Sequence, residues 1–157
     1  MADRPKNNRS TKRPRRENKH DFLAVGIGAS AGGIKALEQL FERMPSDSGM
    51  AFVVILHLSP EFESNLAGVI QRWTAMPVIK VTERIKMEPN HVYVIPPVKH
   101  LVMIDGHIGL HEPEVEKGRR TPIDLFFRTL AGAYTVKSVG VMLSGTGTNG
   151  TLGLRHI

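Results

Sequence analysis

Residues Gly28, Ala29, Ser30, Ala31 and Gly32 satisfy the pattern G-x-S-x-G. That pattern is a tight strand-to-helix turn in which small neighbours relieve backbone crowding around a serine hydroxyl. A serine hydroxyl is a weak nucleophile until a base within hydrogen-bond reach takes its proton. His57 stands at the end of the next apolar run and is the candidate base. A third member, near the C terminus, would complete a triad in an order unlike that of the α/β hydrolases, and geometry rather than order defines a triad.

The same residues admit two other readings. Gly26, Gly28 and Ala31 fit G-x-G-x-x-G/A, a dinucleotide fingerprint. That fingerprint expects an acid at the end of the second strand for the ribose hydroxyls, where this sequence has His57 and Ser59, with Glu61 only beyond Pro60. The glycines could instead serve helix and sheet packing, with Ser30 as a helix N-cap. His91, His100, His107 and His111 lack the H-x-x-x-H spacing of a helical metal site, and surface or pairing roles are expected for them. Arg119 and Arg120 could hold a carboxylate, although a solvated loop before Pro122 and a helix N-terminal acid at Asp124 accounts for them equally.

The elements that must position these groups alternate along the chain. An apolar run from Phe22 to Gly28 reads as a strand, followed by a helix from Gly33 to Met44 with Ile34, Leu37, Leu40, Phe41 and Met44 at helical spacing. Met50 to Leu58 is a β-branched run without alternation, as in a parallel strand buried on both faces. A helix from about Ser64 to Thr74, a short strand from Val78 to Val81 and a strand from His91 to Ile95, stopped by Pro96 and Pro97, come next. Leu101 to Ile104 and His107 to His111 flank Asp105-Gly106, a two-residue hairpin turn. Thr121-Pro122 opens a helix to Tyr134, and Ser138 to Leu143 is a last buried strand running into the Gly-rich segment Ser144 to Gly150. The pattern predicts an α/β fold, a doubly wound, mostly parallel, Rossmann-like sheet with an inserted β-hairpin. Ligands of such sheets bind beyond the carboxyl ends of the strands. If the first, second and last strands are neighbours, Ser30, His57 and the segment 144–150 meet there.

Charge is concentrated at one end of the 157 residues. Eight basic residues (Arg4, Lys6, Arg9, Lys12, Arg13, Arg15, Arg16, Lys19) and two acids (Asp3, Glu17) give residues 1–20 the whole net charge of +6. Residues 21–157 sum to zero, so the basic pI describes a tail and not a nucleic-acid-binding globule. The segment 1–20 is too polar to offset the entropy of ordering, and it is expected to be a disordered basic tail. With no aromatic in it, the stacking used by single-strand binders is missing, and nucleic acid is not an expected partner. The absence of cysteine excludes disulfides and thiolate metal sites. No apolar run approaches the roughly 18–20 residues of a bilayer span, and the start has no signal-peptide h-region, so a cytoplasmic protein without membrane insertion is expected.

Four ordered segments together resemble one known family: residues 25–33 (VGIGASAGG), Leu56-His57-Leu58, residues 90–97 (NHVYVIPP) and residues 144–150 (SGTGTNG). They are similar to the catalytic domain of the chemotaxis receptor methylesterases, the protein-glutamate methylesterases, from about Phe22 to the end. The resemblance implies a cofactor-free and metal-free carboxylic ester hydrolase acting on glutamate γ-methyl esters of chemoreceptors, with glutamine deamidation as an accompanying activity. It implies Ser30 as nucleophile, His57 as base, and Ala31 and Thr146 as backbone donors of the oxyanion hole. Asn149 stands where the family has an aspartate, which leaves an oxygen to orient the imidazole and no charge to stabilise it. The family domain continues past this loop, so residues 21–157 read as a catalytic domain incomplete at its C terminus. The implied partners are the methylated cytoplasmic domain of a chemoreceptor and a receiver or methyltransferase module supplied in trans. The alternative is an inactive domain of the same fold that binds receptor or signalling partners.

Overall fold

The computed structural model describes residues 20–56, 60–112, 122–143 and 150–157, with backbone alone over 60–64. The expected tail, His57, the Arg119-Arg120 pair, Thr146 and Asn149 lie outside the described residues. Eight strands and four helices follow in the order β1 (Ala24–Ala29), α1 (Ile34–Arg43), β2 (Ala51–Leu56), α2 (Pro60–Gln71), β3 (Val78–Lys80), β4 (Ile85–Lys86), β5 (Val92–Val94), β6 (His100–Ile104), β7 (His107–His111), α3 (Pro122–Tyr134), β8 (Ser138–Leu143) and α4 (Thr151–Leu154).

Five strands form one sheet in the order β3-β5-β2-β1-β8, and every pairing in it is parallel. β1 and β2 are buried at every position, which their unalternating apolar sequences require once helices cover both faces. On one face α1 contributes Leu37 and Phe41 and α2 contributes Leu66 and Ile70 to a core with Val25, Ile27, Ala29, Phe52, Val54 and Leu56. Phe41 meets Phe52 edge-on, with ring centroids 5.7 Å apart. On the other face Ile123, Phe126, Phe127 and Leu130 of α3 pack with Ala24, Val53 and Ile55 and also with Leu101, Met103 and Ile108 of a second sheet. α3 is therefore clamped between two sheets, and the Thr129 hydroxyl accepts from the Met103 amide at 3.0 Å.

The second sheet is antiparallel, in the order β4-β7-β6. Its Asp105-Gly106 turn has φ of 48° and 74°, the left-handed pair that a type I′ hairpin needs, as its sequence predicts. The fold class and the inserted hairpin thus follow the sequence expectation, with differences in detail. β4 is an addition, because two residues carry no periodicity and their pairing (Ile85 with Ile108, Lys86 with His107) is a tertiary fact. α2 starts at Pro60 instead of Ser64, since proline suits the first helical turn. It stops at Gln71, whose side-chain amide donates to the Thr74 and Met76 carbonyls and accepts from the Val78 amide, tying the helix end to β3. β8 reads as buried from its own residues, while the incomplete C terminus implied by the resemblance would leave it an exposed edge; in the described sheet it lies at the edge with all six residues half-buried.

Candidate active site

β1 lies between β2 and β8 in the described sheet, with Ala29 in register with Leu56 of β2 on one side and Leu143 of β8 on the other. The three strands end level, and Ser30, His57 and Ser144 are the residues bonded next to those ends. The chain leaves β1 toward β2 while β8 lies on its opposite side, so this is also the point where strand order reverses, the usual ligand crevice of an open parallel sheet.

Ser30 has φ −101° and ψ −176°, an extended and unstrained conformation, so the turn is not the strained elbow that G-x-S-x-G describes. The Gly33 amide donates to the Ser30 carbonyl at 2.9 Å and closes a single 3-10 turn over Ala31–Gly33. The Ser30 side chain makes no capping hydrogen bond to that turn, contrary to the N-cap reading. Ser30 is half-buried, and Ala31 and Gly32 are exposed. The Ala31 amide occupies the first position of the turn, where the turn itself offers no acceptor.

Glycines set how closely the parts approach. A Cβ on Gly33 would lie 2.4 Å from the Leu143 carbonyl oxygen, so only glycine lets the turn fold back over the end of β8. Gly26 and Gly28 are inside β1, where a Cβ would strike Phe127 at 2.8 Å and Ile123 at 2.6 Å. They admit α3 against the sheet and do not form a loop after the strand, which is where a dinucleotide fingerprint needs its glycines. The packing reading of these two glycines is the one the structure supports.

A shared contact links the beginning and the end of the chain. The Cβ positions of Gly28 and Gly150 both meet the Met142 sulfur (2.8 and 2.5 Å) and Ile123 Cγ2 (2.6 and 3.0 Å). Segment 144–149 therefore departs from Leu143 and is regained at Gly150 (φ 91°) beside Gly28, two residues before Ser30. Alternation along an extended chain gives Ser30 the same face as Gly28. Beyond Gly150, α4 is held by Asp124, 7% exposed, whose Oδ1 accepts from the Gly153 amide at 2.7 Å. A Cβ on Gly153 would lie 2.8 Å from the Asp124 Cα, so the two backbones are in direct contact. The sequence gives Asp124 only as an acid in the first helical turn. Its burial depends on a partner 29 residues away, which no local feature of the sequence announces.

The other histidines take pairing roles. His91 and His107 donate from Nδ1 to the Pro89 and Asp105 carbonyls at 2.8 and 2.9 Å. His100 is paired across the hairpin with His111, and burial followed by the charge of His111 lowers its pKa. Among the described residues no group of three or more His, Asp or Glu could hold a metal ion. No helix among them is long and apolar enough to cross a membrane.

Comparison with known proteins agrees with this fold. The family profile for CheB methylesterase matches residues 25–157. A Burkholderia lata protein named protein-glutamate methylesterase/protein-glutamine glutaminase 2 is 33% identical over 132 residues, 83% of this chain and 39% of that protein. A Leptospira interrogans protein named a putative methylesterase/glutaminase of the same kind is 28% identical over 138 residues, 87% of this chain and 72% of that one. The crystal structure of the Thermotoga maritima CheB methylesterase catalytic domain superposes with a TM-score of 0.76 at 25% identity, covering 87% of this chain and 75% of that one. The chain thus spans 39% of the Burkholderia relative's length and 72% of the Leptospira relative's. With the profile covering all but the first 24 residues, this chain belongs to the CheB methylesterase family.

Proposed function

We propose that this chain hydrolyses glutamate γ-methyl esters on the cytoplasmic domain of a chemoreceptor, with Ser30 as nucleophile and His57 as general base. Family membership and the relatives' names support the reaction class. The observation that carries the residue assignment is the packing of Gly28 and Gly150 on the same Met142 and Ile123 atoms. It brings the covalent neighbour of Asn149 beside the strand that ends at Ser30. His57 is bonded to Leu56, which is in register with Ala29.

In the first half-reaction the Ser30 hydroxyl adds to the ester carbonyl carbon as its proton passes to the His57 imidazole. The Ala31 and Thr146 amides hold the oxyanion. Collapse expels methoxide, which takes the proton from His57 and leaves as methanol, with the glutamyl group on Ser30. Water, deprotonated by His57, then releases free glutamate and restores the serine. A glutamine substrate follows the same course with ammonia as leaving group, in keeping with the glutaminase half of the relatives' names.

Asn149 is the weak point of this machinery. Its oxygen can orient His57, but the imidazolium forms without a neighbouring negative charge. The same exchange in a serine protease triad lowers turnover roughly 10⁴-fold. A second reading, an inactive receptor-binding domain, rests on this one position.

Methanol release from a methylated receptor fragment separates the readings. A slow rate in the unaltered chain, raised about 10²–10⁴-fold by Asn149→Asp and abolished by Ser30→Ala, is expected. No release from either the unaltered chain or Asn149→Asp, with a folded circular dichroism spectrum, would favour the binding domain. Equal and substantial rates would show that the carboxylate is dispensable.

A further inference from the structure

Val98 lies in the left-handed region, with φ 60°. Three other non-glycine residues do so, each for a local reason. Asn90 accepts from the Gly49 amide through Oδ1 at 2.7 Å, Asp105 forms the hairpin turn, and the Thr135 carbonyl accepts from the Ser138 hydroxyl at 2.6 Å. Asparagine and aspartate also tolerate this conformation, whereas a β-branched side chain clashes with its own backbone there, as at Thr135 and Val98, and of these two only Val98 is apolar. Burial does not offset that cost at Val98, whose surface is 67% exposed. A strained residue that is also an exposed apolar one lowers stability twice, and such outliers gather at ligand-contacting sites.

Its place in the fold points to the ligand. Val94 of β5 is level with Val54 of β2, which is level with Ile27 of β1. The Ile95 amide donates to the Val54 carbonyl at 3.2 Å, which carries β5 on toward Pro96. Val98 therefore follows the carboxyl end of β5, the end of the sheet that also carries Ser30, with β2 alone between β5 and β1. The turn is firmly held: Pro96 and Pro97 fix their own φ angles, and on the far side Lys99 pairs with Glu112 as β6 begins.

We infer that Val98 is a substrate-contact residue, an apolar knob that meets an apolar side chain of the substrate polypeptide flanking its esterified glutamate. The inference deepens the methylesterase reading and rests on it for the identity of the substrate. Strain at Val98 pre-sets the side chain outward, so little ordering is needed on binding.

The test uses the intact chain with Val98→Asn, Val98→Gly and Val98→Ile. Asparagine and glycine relieve the strain, so both should raise Tm by a few degrees. Both should weaken affinity for a methylated receptor cytoplasmic fragment, measured by calorimetry, by about five- to tenfold. Isoleucine should keep the affinity. Hydrolysis of p-nitrophenyl acetate, too small to reach Val98, should be unchanged in all three. Unaltered receptor affinity in Val98→Asn and Val98→Gly would overturn the inference, as would no receptor binding by the parent chain. A parallel loss of p-nitrophenyl acetate hydrolysis would also overturn it, by showing that the turn supports the catalytic groups. Failure of the methylesterase reading reads differently: the parent chain would leave p-nitrophenyl acetate and receptor esters intact whatever its affinity for the receptor.

Discussion

Single residues at the carboxyl end of the sheet owe their positions to what their neighbours lack. Gly33 permits the turn after Ser30 to rest on the Leu143 carbonyl, and Gly28 permits Met142 and Ile123 to reach β1. The serine itself is conformationally ordinary, which leaves its reactivity to proton transfer and oxyanion stabilisation. His100 gives a pH-dependent signature. Burial and the facing His111 lower its pKa from the ordinary 6.5, and Lys99 and Glu112 are the charged groups beside the pair. The unfolded chain then binds a proton that the folded chain refuses, so stability is full above about pH 6.5 and falls as the pH drops toward the lowered value. Urea denaturation from pH 7.5 to 5 should show this acid loss, and His100→Gln should flatten it. An identical slope in both would contradict the assignment. Ser30 and His57 were legible as candidates because a serine between small residues and a histidine after a strand are local features. The absence of strain at Ser30 was not, because it depends on how the following turn packs.

At the scale of elements, α3 is the member that organises the candidate site. It packs against Gly26 and Gly28 of β1, receives β6 on its other side, and holds α4 through Asp124. A charge-assisted bond from a buried carboxylate to an amide contributes about 1.5–3 kcal/mol, and its loss strands the Gly153 amide. Asp124→Ala is therefore expected to lower unfolding free energy by about that amount and to reduce turnover further by freeing the segment that ends at Gly150. Unchanged urea midpoints would show that α4 is held by its apolar contacts alone. The sequence conveyed the helices and long strands through their periodicity, and the Asp105-Gly106 hairpin through turn chemistry. It did not convey β4, which exists only through its pairing with β7, and it conveyed the half-exposed state of β8 through the family resemblance and not through the strand's own residues. An apolar run such as Ser138 to Leu143 reads the same at the centre of a sheet and at its edge.

For the whole molecule, the fold separates two ends. α3 runs antiparallel to β1, with Ile123 against Gly28, Phe127 and Leu130 against Gly26, and Tyr134 beyond. His20 stacks on Tyr134 with centroids 4.1 Å apart, and Phe22 meets the same ring at 5.7 Å. His20, the first described residue, thus lies at the amino end of the sheet, opposite the end that leads into Ser30. Composition made this division visible as charge, since residues 21–157 are neutral overall, but not as geometry. Ser30 at the carboxyl end is proposed as the activated nucleophile. This is tested most directly by exposing the intact chain to a fluorophosphonate and locating the adduct by mass spectrometry. A single adduct on the peptide containing Ser30, absent from Ser30→Ala and strongly diminished in His57→Gln, is the predicted result. An unlabelled chain, or a label that persists after Ser30 is replaced, would contradict it.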